Sequence, residues 1–315
     1  MGEHTRAPPR RLLISLPGIS RSSNHLKIGK KTPSYHCTAR RAASSGSWAR
    51  FWDGRRTGHA TCVRVSVRDR HWIEAQKMEA FLAVARGSCE APVFIECQYN
   101  AGSSTAPVLL AAKGIAFDCG GLCLKAASEM SENRGSMAGA AAVLGAMYAV
   151  ALAKAPLNVN AVIPVCENMV SGQCMKVGDV VTALNGLTIQ VMYKPSLVID
   201  VATLTHGILL ATGGGAFGCF SNSEALWRAL QHAGSLTGDR GWRFPLWHYY
   251  RQHIHSDPAV DILNRGSGNS TPCIGAAFLQ NFICGDWLHL DITGVGKFQS
   301  TLDHGAVHRS TASIK

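Results

Sequence analysis

The chain has 315 residues, of which 46% are hydrophobic and 16% are charged, and its formal net charge is +11. The basic excess is confined to the N-terminal part: residues 1–70 hold 15 Lys and Arg against 3 Asp and Glu, whereas residues 71–315 hold 16 against 17. Because the body of the chain is close to neutral, the composition argues against a general nucleic-acid-binding surface. The length allows one large domain or two smaller ones.

The first 60 residues are rich in Arg, Ser, Gly and Pro and show no sustained hydrophobic periodicity. They predict a basic segment that is disordered or serves in targeting, and a misassigned start of the coding region is a further alternative. We expect no secretory signal peptide, because a continuous apolar core is missing near the N-terminus. Residues 61–315 are then predicted to form the folded domain.

Eleven cysteines are scattered along the chain without a Cys-x-x-Cys pair or a Cys/His finger spacing. An odd number of cysteines in such an arrangement is typical of free thiols in a reducing compartment.

From residue 70 onward, helical and strand patterns alternate along the chain. The predicted helices are residues 71–86, 137–154, 223–233 and 271–283. The predicted strands are residues 92–99, 107–117, 159–165, 197–202 and 287–292. Residues 179–191 predict a hairpin around Asn185-Gly186. This alternation predicts an α/β domain with a mixed, mostly parallel sheet flanked by helices.

The stretch 138–153 is the longest apolar run of the chain and is rich in Ala and Gly. It falls short of the roughly 20 residues that a membrane span needs. We therefore predict a buried helix that packs closely through its small residues.

The run from Lys113 to Lys125 is the strongest site candidate. An apolar segment ends in Asp118, turns on Gly120 and Gly121, and is bracketed by the two lysines. Charged side chains so close to a buried strand are costly unless they are paired or bind a metal ion. The run therefore predicts a functional site.

Several blocks of sequence, taken in order from about Arg70 to about Val295, resemble the leucyl aminopeptidase (cytosol aminopeptidase) family of two-metal exopeptidases. The blocks are Trp72-Ile73-Glu74, the run from Lys113 to Lys125, Val165-Cys166-Glu167-Asn168-Met169, Ala202-Thr203-Leu204-Thr205, Thr237-Gly238-Asp239-Arg240 and His289-Leu290-Asp291-Ile292. The resemblance implies the catalytic domain of that family, usually assembled as a hexamer. It also implies a hydrolase that releases N-terminal amino acids from peptides with two divalent ions, Mn or Zn.

Carried over by position, the resemblance makes Lys113 and Asp118 metal ligands. It makes Lys125 the catalytic lysine that polarises the scissile carbonyl. One family ligand, an aspartate, falls on Ser136, and a neutral hydroxyl is a poor replacement for a carboxylate at a dication.

The resemblance also places substrate-binding positions at Asn133, Thr203 and Leu204. Asn133 departs from the family, which has a methionine there. On the same grounds, His289 and Asp291 are expected to be structural residues of a strand rather than metal ligands.

The largest departure follows Val191. Family members continue into an Asn-Thr-Asp-Ala-Glu-Gly-Arg loop and a helix, which supply an aspartate ligand, a bridging glutamate and an arginine. This chain passes from Val191 through Met192-Tyr193-Lys194-Pro195 directly to Leu197. Because a parallel crossover normally needs a dozen or more residues, we expect a rearranged sheet edge or a locally open core. A missing exon or a faulty gene model would give the same excision.

These departures predict an incomplete, degenerate member of the family in which metal binding is weak and catalysis is impaired or lost. The alternative is a non-enzymatic pseudoenzyme kept for structure or assembly, in homo- or hetero-oligomers with related subunits. The expected partners are related subunits and, if the chain is active, a peptide substrate; no nucleic acid and no membrane is expected. The resemblance implies a cytoplasmic protein, and the basic N-terminus leaves a mitochondrial location as the alternative.

Overall fold

The computed structural model describes residues 63–104, 106–181, 195–264 and 268–296. Within these residues, nine strands form one sheet. They are β1 (Val63–Arg68), β2 (Val93–Asn100), β3 (Val108–Ala112), β4 (Gly114–Asp118), β5 (Asn158–Asn168), β6 (Leu197–Ala202), β7 (Phe217–Ser221), β8 (Gly241–Arg243) and β9 (Asp286–Asp291). The helices are α1 (Arg70–Ala75), α2 (Glu79–Ala85), α3 (Ala127–Met130), a 3-10 helix (Ser131–Met137), α4 (Ala138–Leu152), α5 (His206–Thr212), α6 (Glu224–Thr237), α7 (His248–Gln252), α8 (Thr271–Gln280) and α9 (Thr293–Gly296).

The sheet has the strand order β1-β2-β5-β3-β6-β9-β7-β8, with β4 paired to β5. Its centre, β5-β3-β6-β9, is parallel throughout. Among the described strands, the antiparallel pairs lie toward the edges, between β1 and β2, β2 and β5, and β7 and β9. The prediction of a mixed, mostly parallel sheet flanked by helices is therefore confirmed.

The two faces of the sheet are covered by different helices. On one face α4 packs against β3, β5 and β6 and buries Val143, Met147 and Ala151. On the other face α1, α7 and α8 cover a core that contains the fully buried Phe220 and Trp287. Burial of such large apolar side chains is the main favourable contribution to the fold.

Several predicted elements are confirmed, and two are divided. Strand 197–202 matches β6 in full, and strand 92–99 matches β2 to within one residue. The predicted helix 71–86 is wrong as a single element, because Lys77 has a φ of 52° that breaks it into α1 and α2. Strand 107–117 is divided at Lys113. The predicted hairpin 179–191 lies mostly outside the described residues.

Helix α4 continues the 3-10 helix, and together they form a 22-residue stretch from Ser131 to Leu152. By length and composition this stretch could cross a membrane; a third of its apolar window is buried, and α4 packs on β3, β5 and β6 of the sheet. A Cβ atom on Gly139 would lie 2.3 Å from the carbonyl oxygen of Val201. The predicted close packing through small residues is therefore confirmed at this contact.

The connection from β5 to β6 is the one that the sequence predicts to be shortened. Strand β6 nevertheless lies in the middle of the sheet, with parallel partners on both sides. On one face of the central strands, Val198 and Trp287 are fully buried, whereas Ile199 and Leu290 on the α4 side are only partly buried. The connection at residues 182–194 lies outside the described residues, so the expectation of a rearranged sheet edge or a locally open core stays a prediction.

Candidate functional site

Lys113 lies at the junction of β3 and β4. Its backbone N–H donates to the carbonyl oxygen of Val201 in β6 at 3.1 Å, and its own carbonyl accepts from the N–H of Ala140 in α4 at 3.2 Å. These two bonds fix the residue between the sheet and the helix. The Nζ atom then donates to the carbonyl oxygen of Thr203, just after β6, at 2.7 Å.

Asp118 is the last residue of β4 and is 7% exposed. A register shift between Ile115 and Asp118 places Asp118 opposite Asn168, the last residue of β5. The Oδ1 atom of Asp118 accepts from Asn168 Nδ2 at 2.8 Å and from the N–H of Gly120 at 3.2 Å. One side of the carboxylate is therefore held by the ends of two neighbouring strands.

The glycine turn carries the chain back to this carboxylate. Gly120 has a φ of 94° and Gly121 a φ of 67°. A Cβ atom on Gly120 would lie 2.4 Å from the carbonyl oxygen of Cys123, so only glycine fits there. The N–H of Lys125 closes the turn on the carbonyl of Cys119 at 2.9 Å.

This turn places the Lys125 Nζ atom 2.6 Å from Asp118 Oδ2. Lys113 Nζ lies 3.8 Å from the same oxygen. We call Lys113, Asp118 and Lys125 the Lys-Asp-Lys cluster. The structure thus brings together the three charged residues that the sequence predicted as one site.

The charges of the cluster determine the state of its carboxylate. Burial by itself would raise the pKa of Asp118, but the hydrogen bond from Lys125, the charges of both lysines and the bond from Asn168 outweigh it. The pKa of Asp118 is therefore lowered from its ordinary value of 3.8. An ionised Asp118 is the form that the two ammonium groups favour.

The other predicted residues lie around this cluster. Asn133 and Ser136 are 1% and 2% exposed, in the 3-10 helix that packs against β4. Thr203 is 4% exposed and is joined to the cluster by the bond from Lys113. Leu204 is 37% exposed, and its N–H donates to Asp291 of β9. Their roles in substrate binding stay predictions.

Asn168 belongs to the site through its hydrogen bond to Asp118, although its sequence context alone does not assign it a role. The predicted strand 159–165 ended three residues too early, whereas β5 continues to Asn168. Two parallel strands that end side by side bring their last side chains together. The signal was therefore present in the Val165–Met169 block, but only the register shows that Asn168 faces Asp118.

The donor set of the cluster does not fit two divalent ions. Such a pair needs several oxygen ligands, with carboxylates shared between the ions. The cluster offers one carboxylate, and among the described residues no group of three or more His, Cys, Asp or Glu could hold a metal ion. Ser136 offers a hydroxyl, and Lys125 already donates to the single carboxylate.

A second, partly buried acid lies at the centre of the sheet. The Asp200 carboxylate of β6 accepts from Trp287 Nε1 at 2.6 Å and pairs with His289 Nδ1 at 2.5 Å, both on β9. His289 is 0% exposed, and its Nε2 has no partner among the described residues. We call these residues the Asp-Trp-His cluster. His289 and Asp291 both lie in the interior, and the expectation that they are structural residues stays a prediction.

The nine cysteines in the described part of the chain are free. Burial raises the pKa values of Cys97, Cys166 and Cys219 to about 12, so these thiols stay protonated at neutral pH. Cys119 is buried beside Asp118, and Cys123 is exposed on the glycine turn.

Comparison with known proteins now adds to this geometry. The sequence model of the cytosol aminopeptidase family, catalytic domain, matches residues 30–193 and 191–313. The two segments meet at the position where the sequence analysis places the missing loop. The match also extends beyond the stretch from Arg70 to Val295 that carries the motifs.

The chain is similar to the cytosol aminopeptidase of Xenopus tropicalis, with 40% identity over 272 residues, 79% of this chain and 52% of the relative. It is 41% identical to the human cytosol aminopeptidase over 257 residues, 74% of this chain and 49% of the relative. It spans about half the length of the curated relatives that it matches.

Solved structures give the same result. The crystal structure of the cytosol aminopeptidase from Coxiella burnetii matches with a TM-score of 0.71 and 26% identity, over 83% of this chain and 60% of that chain. The bottromycin maturation enzyme BotP matches with a TM-score of 0.69 and 29% identity, over 82% and 62%. The fold, the motif blocks and the sequence match agree, and the chain belongs to the cytosol aminopeptidase family through its catalytic domain.

Proposed function

We propose that this chain is a leucyl-aminopeptidase-like protein whose catalysis is impaired or lost. The observation that carries the proposal is the Lys-Asp-Lys cluster, which holds one carboxylate and two ammonium groups. The family is one of metal-dependent aminopeptidases, and its reaction requires ions that activate a water molecule and bind the scissile carbonyl. A site with a net positive charge repels such ions.

The break in the family match supports the proposal. It falls at residues 191–193, where a loop with two carboxylates and an arginine would follow in the family. At Ser136, which is 2% exposed, a hydroxyl stands where the family has a further carboxylate. Asp200 and Asp291 do not replace them, because their carboxylates are held by residues of β9 and of the segment after β6.

Lys125 could not act as an electrophile in its present contact. Its ammonium group donates to Asp118 at 2.6 Å, so a substrate carbonyl would have to compete with an ionised carboxylate. Carboxylate acceptors form stronger hydrogen bonds than neutral carbonyls. The contact therefore favours a role of Lys125 within the protein over a role toward substrate.

The test is hydrolysis of a leucyl amide reporter with added manganese or zinc. We expect no measurable turnover, while a family enzyme with an intact loop, assayed in parallel, is active. Turnover at a rate typical of the family, abolished by a chelator and by Lys125→Ala, would overturn the proposal. Sequencing the transcript across residues 191–194 decides whether the excision is real before the assay is interpreted.

A second candidate function is assembly with related subunits as a structural paralogue. Large apolar side chains are exposed at several places in the described part of the chain, among them Leu122 and Leu124 at the glycine turn, 52% and 59% exposed, and Trp242 and Trp247 near β8, 67% and 65% exposed. Exposed apolar groups of this size are typical of interaction surfaces. Light scattering coupled to size-exclusion chromatography tests this function, and a monomer at micromolar concentration contradicts it. Since the relatives are named cytosol aminopeptidases, we propose a cytoplasmic location for either function.

A further inference from the structure

We propose that Lys125 is the resident cation of the Lys-Asp-Lys cluster, so that this site takes an internal ammonium group and no divalent metal ion. The proposal rests on the proposed function, because a site that carries out no metal chemistry needs no exchangeable ion. It assigns to Lys125 a structural role in place of the carbonyl-polarising role that the resemblance implies.

The first argument is geometric. Lys125 Nζ lies 2.6 Å from Asp118 Oδ2, the distance of a direct charge-assisted hydrogen bond. The opposite oxygen of the same carboxylate is taken by Asn168 and by the N–H of Gly120. Both oxygens of Asp118 are therefore engaged by groups of this chain.

The second argument is that the backbone prepares this contact. The turn from Cys119 to Lys125 is closed by a hydrogen bond of 2.9 Å between the backbones of these two residues. Gly120 and Gly121 have positive φ angles that other residues adopt only with strain. The turn thus fixes the start of the Lys125 side chain close to Asp118, which lowers the entropy lost when the ion pair forms.

The third argument is the charge balance. Lys113 also carries its ammonium group toward Asp118, at 3.8 Å, and donates to the carbonyl of Thr203. The three side chains of the cluster, two lysines and one aspartate, carry a formal net charge of +1. A divalent ion would have to displace Lys125 and then lie beside two cations, and Coulomb repulsion opposes both steps.

The experiment compares thermal unfolding of the wild-type chain, Lys125→Ala and the matched control Lys176→Ala, in which an exposed lysine outside the cluster is removed. We expect Lys125→Ala to lower Tm by about 3 °C and the control by less than about 1 °C. Addition of n-propylammonium chloride, at constant ionic strength, should restore part of the Tm of Lys125→Ala and leave the other two proteins unchanged. Addition of 1 mM MnCl₂ should leave the wild-type Tm within about 1 °C.

The outcomes separate this proposal from the proposed function. The proposal is wrong if Mn²⁺ raises the wild-type Tm by several degrees, a chelator reverses this rise, and the spin-resonance signal of free Mn²⁺ is lost. These three results together would show that the site takes a divalent ion, even where no hydrolysis is measured. Equal losses of Tm in Lys125→Ala and Lys176→Ala would also overturn it. If Lys125→Ala does not fold, Lys125→Gln replaces it, and the Mn²⁺ measurement on the wild-type chain still decides.

Discussion

Asp118 and Asp200 are two mostly buried carboxylates that the protein holds in different ways. The side chain of Asp118 is 10% exposed and that of Asp200 is 18% exposed. Asp118 is paired with lysines whose side chains are 37% and 22% exposed, whereas Asp200 is paired with His289, which is 0% exposed. The Asp118 carboxylate is therefore the more buried of the two, but its cationic partners reach the solvent, whereas the partner of Asp200 lies wholly within the protein.

The difference reflects how each cluster is built. The Lys-Asp-Lys cluster depends on a turn of the chain after β4, so its charged residues are close in sequence. The Asp-Trp-His cluster depends on the parallel register of β6 and β9, in which Asp200 lies opposite His289. We infer that the first cluster descends from a reactive site, while the second stabilises the pairing of the central strands.

The largest expected effect is the loss of the buried histidine. His289→Ala leaves Asp200 without its charged partner and opens a cavity beside Phe220, whose ring stacks on His289. Removing one partner of a buried ion pair costs about 3–5 kcal/mol. Urea unfolding measures the loss, and His232→Ala on the exposed face of α6 is the control, with an effect within about 0.5 kcal/mol. A loss below about 1 kcal/mol in the free energy of unfolding of His289→Ala would contradict the inference that the Asp-Trp-His cluster stabilises the central strands.

A smaller loss is expected at the Lys-Asp-Lys cluster. Asp118→Asn removes the charge that both lysines face, but these lysines are partly exposed and can regain water. We therefore expect a loss of about 1–2 kcal/mol in the free energy of unfolding. Asp257→Asn at an exposed turn serves as the control. If Asp118→Asn costs as much as His289→Ala, the two clusters do not differ as their exposure implies.

The pH dependence should separate the two clusters in sign. Because the pKa of Asp118 is lowered from 3.8, its contribution is present above that pH and is lost as pH falls through the lowered value. Burial lowers the pKa of His289, but the charge and hydrogen bond of Asp200 and the charge of Asp291 outweigh it, so the pKa lies above 6.5. Its contribution is full below pH 6.5 and is lost as pH rises through the raised value.

Unfolding free energies of the wild-type chain, Asp118→Asn and His289→Gln over a range of pH measure this separation. We expect Asp118→Asn to flatten the acid side of the profile and His289→Gln the alkaline side. The effect of pH is smaller than that of either substitution, because titration changes a charge and leaves the side chain in place. A flattening on the opposite side in either variant would show that the pKa shift has the other sign.

The sequence predicted the first cluster and not the second, for a physical reason. Lys113, Asp118 and Lys125 form a motif because a strand, a glycine turn and charged residues follow one another, and local geometry brings them together. Asp200 and His289 are 89 residues apart, and each alone is an ordinary residue of a strand. Only the register of β6 and β9 shows that they meet, and register depends on tertiary contacts that no local pattern contains.

The fold, like the two clusters, was predictable from the sequence only in part. Apolar periodicity identified β2, β6 and α4, because burial imposes a pattern on each of them. It failed at Lys77 and Lys113, where a left-handed backbone and a change of strand partners interrupt a continuous pattern. The edge strands β1 and β8 were missed: β8 has three residues and gives a weak signal, whereas β1 alternates Val with polar residues and was overlooked although its pattern is present.

The smallest effect on the free energy of unfolding is expected at an exposed ion pair. Arg70 and Glu74 form an exposed ion pair at 2.7 Å, four residues apart on α1. Water solvates both groups whether or not they pair, so Glu74→Gln should change the free energy of unfolding by no more than about 0.5 kcal/mol. Urea unfolding at low and high salt measures it, and the change should vanish at high salt. If Glu74→Gln and Asp118→Asn lower the free energy of unfolding equally, then burial of the carboxylate contributes little to the Lys-Asp-Lys cluster. The contrast between exposed and buried ion pairs would then be wrong.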